Sequence, residues 1–427
     1  MTLRGSTSAR HRIEELAPDG WATWRELRLR ALTSDPTAFA TTLADARTWS
    51  DDRWRDVVTP RPDRLLLVAF EGTRPCGMAR AERARTGWAA DVFSMWVAPE
   101  ARRCGVARDL LAAIERWAER NQLAWLQLLV HDAQAAARAC YVAAGFEPAR
   151  RTSRGEVLVR RLRPLVMGVV NVTPDSFSDG GRYLAADDAI AHGQQLVAEG
   201  ADILDIGGEA TNPGAKPIDD ATEIARVLPV LRGLTGAGAA LSIDTTKAEV
   251  ARTAVAAGAT IVNDVSGGRF DSAMVPAVTS LPDVIYIAGH LRGATLAEVF
   301  AAEVPTSWTE VRDELATVLA RVPDKERDRV WVDPGVGFGK GADPEGNLAL
   351  LRHAGDLGRA LGCPVVVGPS RKRFVRRLLP QAQQTDALAL DVASVAACLG
   401  AVQWGATVVR AHNVALLRAA LAVYTKL

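Results

Sequence analysis

Between residues 165 and 412 the chain repeats one arrangement eight times: a short apolar run, a polar or ionisable residue at its end, then an amphipathic stretch. The apolar runs lie at 166–170, 203–206, 241–243, 261–262, 284–287, 330–332, 365–367 and 408–409. Helical spacing marks the stretches between them, among them 185–199, 224–234, 247–257, 308–322, 347–361 and 387–399. Eight strands alternating with helices predict an α/β fold, and a parallel sheet of eight such units closes as a TIM (β/α)8 barrel. An open doubly wound sheet is the other architecture this order allows.

The run ends carry the chemistry. Asn171 ends the first run, Asp205 and Glu209 follow the second, Asp244 the third, and Asn263 with Asp264 the fourth. His290 follows the fifth, Asp333 the sixth, Ser370, Arg371 and Lys372 the seventh, and Arg410 with His412 the eighth. In a barrel these positions surround one mouth, the face where such folds place their sites. Taken singly, an Asp or Asn at a strand end is usually a helix cap. Eight coincident polar ends are harder to explain that way, because each is costly to bury without a partner. Carboxylates and amides suit the donor and acceptor edge of a flat heterocycle, while Arg410, His412 and Asn171 suit a phosphorylated tail.

The stretch Met167-Gly168-Val169-Val170-Asn171-Val172-Thr173-Pro174-Asp175-Ser176-Phe177-Ser178-Asp179-Gly180-Gly181 closely resembles the opening signature of dihydropteroate synthases. Further motifs follow in the family order: Asp205-Ile206-Gly207-Gly208-Glu209, Ser242-Ile243-Asp244-Thr245, Asn263-Asp264-Val265, Asp333 to Lys340, Gly368 to Lys372 and Arg410-Ala411-His412. The resemblance implies that Asp244, Asn263, Asp333 and Lys372 hydrogen-bond a dihydropterin ring. It implies that Asn171, Arg410 and His412 bind its diphosphate, with Asn171 reaching a Mg2+ ion, and that Asp205, Asp244, Asp333 and Lys372 form the catalytic set. Phe177, Thr211, Asn212, Pro213, Phe338, Lys372 and Arg373 would shape an arylamine pocket for 4-aminobenzoate. A pterin-binding methyltransferase barrel shares the ring-reading residues and stays open here, as does a weakened binding or regulatory protein.

Two departures stand out. The second loop reads Ala210-Thr211-Asn212-Pro213-Gly214 where the family usually has Arg at the position of Asn212, and the fifth strand ends Ala288-Gly289-His290-Leu291 rather than in Met-His. Arg373 follows Lys372 where many relatives have Ser and could attract a carboxylate.

The first 163 residues have a different character. Eight of the eleven Trp lie at or before Trp125, and no Lys occurs until Lys216. The join is placed at Arg160-Arg161-Leu162-Arg163-Pro164, giving domains 1–163 and 164–427. Within the first, Val97-Ala98-Pro99-Glu100-Ala101-Arg102-Arg103-Cys104-Gly105-Val106-Ala107 links a strand to a helix, where backbone N–H groups can approach a pyrophosphate. It resembles the acetyl-CoA loop of the GNAT acetyltransferases, implying a mixed α/β sheet domain that binds acetyl-CoA through Val97, Arg102, Arg103, Gly105, Val106 and Ala107. Tyr141 matches the family's general acid and is equally readable as a packed core tyrosine. The acetyl acceptor stays open: an arylamine or another amine. Trp21, Trp24, Trp49 and Trp54 are more often core than ligand box at such spacings.

A net charge of +1 from 51 basic and 50 acidic residues gives no polyelectrolyte footprint for nucleic acid or anionic membrane, which leaves small-molecule substrates. Five scattered cysteines without CxxC spacing, and no long apolar stretch in the first 20 residues, lead to the expectation of a cytoplasmic protein. Resemblance to the synthases further implies a homodimer formed through the last helices of the barrel.

Overall fold

A computed structural model describes residues 11–172, 182–211, 214, 216–301, 304–341 and 343–427. The chain divides into two compact units, Met1–Arg163 and Pro164–Leu427.

The first unit runs β1 (Arg12–Glu15), α1 (Trp21–Ser34), α2 (Leu43–Arg47), α3 (Asp51–Val58), β2 (Arg64–Glu71), β3 (Arg74–Arg83) and β4 (Ala89–Val97). It continues through α4 (Val106–Arg120), β5 (Trp125–Val130), α5 (Ala135–Ala143), β6 (Glu147–Thr152) and β7 (Gly155–Arg161). The sheet order is β1-β2-β3-β4-β5-β7-β6, antiparallel except where β4 lies parallel to β5. That parallel pair is brief. Ala89, Ala90 and Asp91 match Trp125, Leu126 and Gln127, after which β4 and β5 run on unpaired with each other and open a cleft. The amphipathic α4 buries Leu110, Leu111, Ile114 and Trp117, one face at helical spacing. Trp24 and Trp54 are core residues with 2% and 0% exposure, and Trp49 packs on Trp54 at 4.8 Å, so the Trp-rich segment builds the interior.

The second unit alternates strand and helix. Its first half runs β8 (Leu165–Asn171), α6 (Arg182–Ala198), β9 (Ile203–Gly207), α7 (Asp220–Leu234), β10 (Ala240–Asp244), α8 (Ala248–Ala256), β11 (Ile261–Asp264), α9 (Met274–Ser280) and β12 (Ile285–Gly289). Then come α10 (Leu296–Ala301), α11 (Trp308–Leu319), β13 (Val330–Asp333), α12 (Pro344–Arg352), α13 (Ala354–Leu361), β14 (Val366–Val367), α14 (Arg373–Leu378), α15 (Ala387–Gln403), β15 (Val408–Ala411) and α16 (Val414–Tyr424). The eight strands are parallel in the order β13-β12-β11-β10-β9-β8-β15-β14. The ends meet through a parallel bridge between Val332 and Val365, which closes the TIM-type barrel and excludes the open sheet. The strands are buried on both faces, which is why they read as unbroken Val, Ile and Leu runs.

The single helix expected at 347–361 is two helices, α12 and α13, interrupted at His353. There the His353 ring stacks on Trp308 at 4.9 Å and the Gly355 N–H donates to the Trp404 carbonyl at 2.7 Å, so tertiary contacts outweigh the continuous apolar period. Among the described residues no helix is long and apolar enough to cross a membrane.

Candidate functional site

The barrel site begins with Asp205 at the centre of β9. Its side chain is fully buried, and it accepts hydrogen bonds from Ser242 Oγ at 2.7 Å, Asn263 Nδ2 at 2.9 Å and Arg410 Nε at 2.6 Å. These donors come from β10, β11 and β15, so one carboxylate ties together four strands. Asp205 was expected among the reacting groups, but its partners make it the residue that orients them. The other face of the Arg410 guanidinium donates to Asp244 Oδ2 at 2.8 Å.

Two carboxylates sharing one guanidinium in a low-dielectric mouth perturb each other. Burial, and then the neighbouring Asp205, hold the Asp244 carboxyl well above the ordinary carboxylate range, against the opposing pull of Arg410. Burial also raises Asp333, which accepts the Gly335 N–H at 2.7 Å. Lys372 is pushed down to about 8 by burial and by repulsion from Arg410. Its ammonium sits 3.7 Å from the centre of the Phe338 ring. His412 is pushed down to about 3 by burial and by Arg410, Arg371 and Lys372, so at neutral pH it offers a hydrogen bond and no charge. Its Nδ1 is 2.9 Å from Ser370 Oγ.

Several positions have other duties. Arg371, at φ +59°, turns to Asp391 at 2.8 Å on α15, leaving Lys372 as the cation that faces Asp244 and Asp333. Arg373 is exposed at the start of α14. His290 is buried with Nε2 3.1 Å from Glu314, away from the carboxylate array. Thr211 is half-buried, and Asn171 is exposed at the end of β8. Phe177, Asn212 and Pro213 lie outside the described residues.

Four residues have roles that were not anticipated: Lys340, Gly335, Phe300 and Lys247. Lys340 is buried and donates to the carbonyls of His290 at 3.0 Å and Phe338 at 3.2 Å, pinning the loop that presents Phe338. At Gly335, φ +69°, an added Cβ would lie 1.9 Å from the His290 carbonyl oxygen, so the loop can pass only with glycine. Phe300 on α10 lies 6.0 Å from Phe338 and extends the aromatic wall. Lys247 donates to Glu209 at 2.6 Å and Glu223 at 2.5 Å, and Glu209 in turn accepts the Ile218 N–H at 2.9 Å, anchoring the loop that holds Thr211. A lysine before a helix carries no local signal of that role; only the fold brings it to Glu209.

Among the described residues no cluster of three or more His, Cys, Asp or Glu could hold a metal ion. Mg2+ that arrives on a diphosphate needs only one or two protein oxygens, the rest coming from phosphate and water, and the exposed Asn171 amide is of that kind. The donor chemistry therefore fits a substrate-carried cation.

In the first unit, Gly105 caps α4 with φ +92°, preceded by Arg103 at φ +61°. This left-handed turn presents the first N–H groups of α4, which have no partner within the helix, beside the cleft between β4 and β5. Arg102 donates to the Val97 carbonyl at 3.0 Å and to Asp35 at 2.5 Å, so within the chain it braces the loop that leads into α4, whose first residues are Val106 and Ala107. Tyr141 on α5 is half-buried, with its ring 6.0 Å from Phe146, and burial raises its phenol so that it keeps its proton.

A model described as pterin binding enzyme matches residues 167–412, and one described as acetyltransferase (GNAT) family matches residues 21–146. The chain is 44% identical over 267 residues to the dihydropteroate synthase of Mycobacterium leprae, covering 58% of this chain and 88% of that one. It is 36% identical to a mitochondrial folate synthesis bifunctional protein of Pisum sativum, of which it spans about half: 51%, against 59% of this chain. The structure of Xanthomonas albilineans dihydropteroate synthase with 4-aminobenzoic acid superposes with a TM-score of 0.54 at 41% identity, covering 62% of this chain and 93% of that one. With more than half of its length matched by a single family model, the chain belongs to the pterin binding enzymes, and it carries a GNAT acetyltransferase-family domain ahead of its barrel.

Proposed function

We propose that the barrel is a dihydropteroate synthase that joins (7,8-dihydropterin-6-yl)methyl diphosphate to 4-aminobenzoate, and that the front domain transfers an acetyl group from acetyl-CoA to an amine. The observation that carries the barrel reading is the convergence of Asp244, Asn263, Asp333, Lys372 and Arg410 on one mouth, with the buried Asp205 holding Asn263 and Arg410.

Asp244, Asn263 and Asp333 present oxygens and an amide to the donor and acceptor edge of a pterin. Arg410 and Lys372 place positive charge beside that edge, where the diphosphate departs. Mg2+, held through Asn171, would supply further neutralisation of the diphosphate oxygens. The bond from the methylene carbon to oxygen breaks with its electron pair leaving on the diphosphate, a bond to the arylamine nitrogen forms, and the proton the amine gives up passes to the departing diphosphate or to water. In their ionised forms Asp244, which burial and Asp205 hold up to about 7, and Asp333, raised by burial, favour positive charge shared between the methylene and the ring. An arylamine is weakly basic and largely unprotonated at neutral pH, so no dedicated base is assigned. Phe338, Phe300 and the Lys372 ammonium form an aromatic wall with one cation, a fit for an arylamine carboxylate.

The methyltransferase reading gains no comparable support, since two of the three relatives above are dihydropteroate synthases by name and the third is a folate synthesis bifunctional protein. Exposed Leu388 and Val392 on α15 and Val423 on α16 are the face we assign to self-association of the barrel. The deciding assay follows diphosphate release with 4-aminobenzoate, then repeats it with Asn212→Arg. Turnover in the unaltered chain is expected; pterin diphosphate binding without release would instead indicate a binding protein.

A further inference from the structure

The cleft of the front domain has a charged wall that its fold does not require. Arg80 on β3 and Phe93 on β4 are directly opposed partners in the antiparallel pair, so their side chains share a face of the sheet. The Arg80 guanidinium lies 4.8 Å from the Phe93 ring centre, and its Nε is buried without a hydrogen-bond partner. Glu82 is the nearest carboxylate at 3.7 Å, beyond good hydrogen-bond reach, and it is shared with Arg64 at 3.6 Å. Arg28 reaches the same region from α1. It is half-buried, lies 4.2 Å from the centre of the Phe39 ring, and among the described residues its one side-chain hydrogen bond is to Ser94 Oγ, at 3.5 Å. No carboxylate within 4.0 Å pairs with Arg28 among the described residues, and burial with repulsion from Arg80 lowers it to about 10.

Two guanidiniums that repel each other, one without a carboxylate partner and the other with only the distant, shared Glu82, cost free energy that a bound anion would offset. Their position fits a substrate. Ser94 has φ +52° where the register of β3 and β4 shifts, a bulge three residues past the last pairing of β4 with β5 at Asp91. Phe93 and Leu129, each two residues beyond the side chains of the Asp91–Gln127 pair and so on that face, are exposed at 40% and 37% on either side of the opening.

We propose that the acceptor of the front domain is an amine bearing a carboxylate on an aromatic or apolar body, its anion held between Arg28 and Arg80 and its ring against Phe93 and Leu129. This rests on the acetyltransferase reading of that domain. In the transfer the amine nitrogen bonds to the acetyl carbon, the carbon–sulfur bond of the thioester breaks, and the proton lost by nitrogen ends on the departing sulfur.

The test uses the full chain with acetyl-CoA and paired acceptors, 4-aminobenzoate against 4-aminobenzamide and 4-(aminomethyl)benzoate against its methyl ester, following thiol release and acetylated product. The acids are expected to exceed their neutral partners about tenfold or more in kcat/KM, the scale of one charge-assisted hydrogen bond. Arg28→Gln and Arg80→Gln should erase that preference while acetyl-CoA binding, measured by calorimetry, stays unchanged and reports the fold. Calorimetric titration of 4-aminobenzoate alone should show a binding event that the double variant loses and Lys372→Ala, in the barrel, keeps. Acetyl-CoA binding with equal use of acids and neutral partners overturns the carboxylate site alone. Absence of acetyl-CoA binding overturns the acetyltransferase reading, and this inference with it.

Discussion

Asp205 and Arg410 stand 205 positions apart in the chain and 2.6 Å apart in space, and that pair determines how the barrel mouth is built. Arg410 spans Asp205 and Asp244, while Asp205 also holds Ser242 and Asn263, so Asp244 and Asn263 among the ring-reading groups are positioned through one fully buried carboxylate. Asp205→Asn keeps the size and removes the charge. Breaking one side of a buried pair costs about 3–5 kcal/mol, and the freed Arg410 would leave its orientation between the two carboxylates. The expected result is a lower Tm and a fall in kcat/KM for diphosphate release on the order of a hundredfold or more. Release at the unaltered rate would show that Asp205 does not organise the site.

Lys372 gives the barrel a basic limit. Its ammonium is depressed to about 8, so it is charged at neutral pH and loses its proton as pH rises through that value. Binding of an arylamine carboxylate should weaken above about 8, seen as a rising KM for 4-aminobenzoate with less change in kcat. Lys372→Arg keeps charge throughout that range and should move the basic limb out of view, at some loss from altered geometry. A basic limb that persists in the Arg variant would assign it to another group.

The barrel was legible because both faces of its strands are buried, which turns each strand into an apolar run whose first polar residue marks the mouth. Asp244, Asn263, Asp333, Lys372 and Arg410 were found that way. What the pattern could not give was direction. Asp205 and Asp244 both end apolar runs, yet one is buried under three donors and the other keeps 12% of its side chain exposed. Adjacent Arg371 and Lys372 part company because Asp391, on a distant helix, takes the first. His353 broke an expected helix through a stacking partner 45 positions away, Trp308, which no local period records. In the front domain the motif located the loop, but the divergence of β4 from β5 is a matter of pairing and leaves no mark on composition.

Lys247 should couple stability to substrate affinity. It neutralises Glu209 and the fully buried Glu223, whose carboxyl is raised by burial against the opposing pull of Lys247. Lys247→Met leaves two carboxylates facing each other, and a loss of about 3–5 kcal/mol is expected from the uncompensated charge. A raised carboxyl pKa means that the folded state binds the proton more tightly than the unfolded state. The variant should therefore lose stability as pH rises through the window above the ordinary carboxylate value, and regain it on acidification. Thermal melts across that range test the sign. Adding Glu223→Gln should restore most of the Tm, whereas KM for 4-aminobenzoate should stay raised if the Lys247 to Glu209 contact anchors the loop of Thr211. Recovery of both together would mean that the contact serves stability alone.

Gly105 separates the two domains functionally. It caps α4 at φ +92°, a conformation open to glycine and strained by about 1 kcal/mol or more for a residue with a Cβ. Its space is not crowded, since the nearest neighbour of an added Cβ would be the flexible end of Arg108 at 3.4 Å. Gly105→Val therefore acts through backbone conformation and through bulk at the helix N-terminus, where a pyrophosphate would meet the N–H groups of α4. The expected outcome in calorimetry is a rise of at least about tenfold in the Kd for acetyl-CoA, as an order of magnitude for losing close backbone approach to a phosphate. Diphosphate release by the barrel should be unchanged, because the substitution lies in a separate compact unit. A variant that binds acetyl-CoA as tightly as the unaltered chain would place the cofactor elsewhere than at the turn before α4.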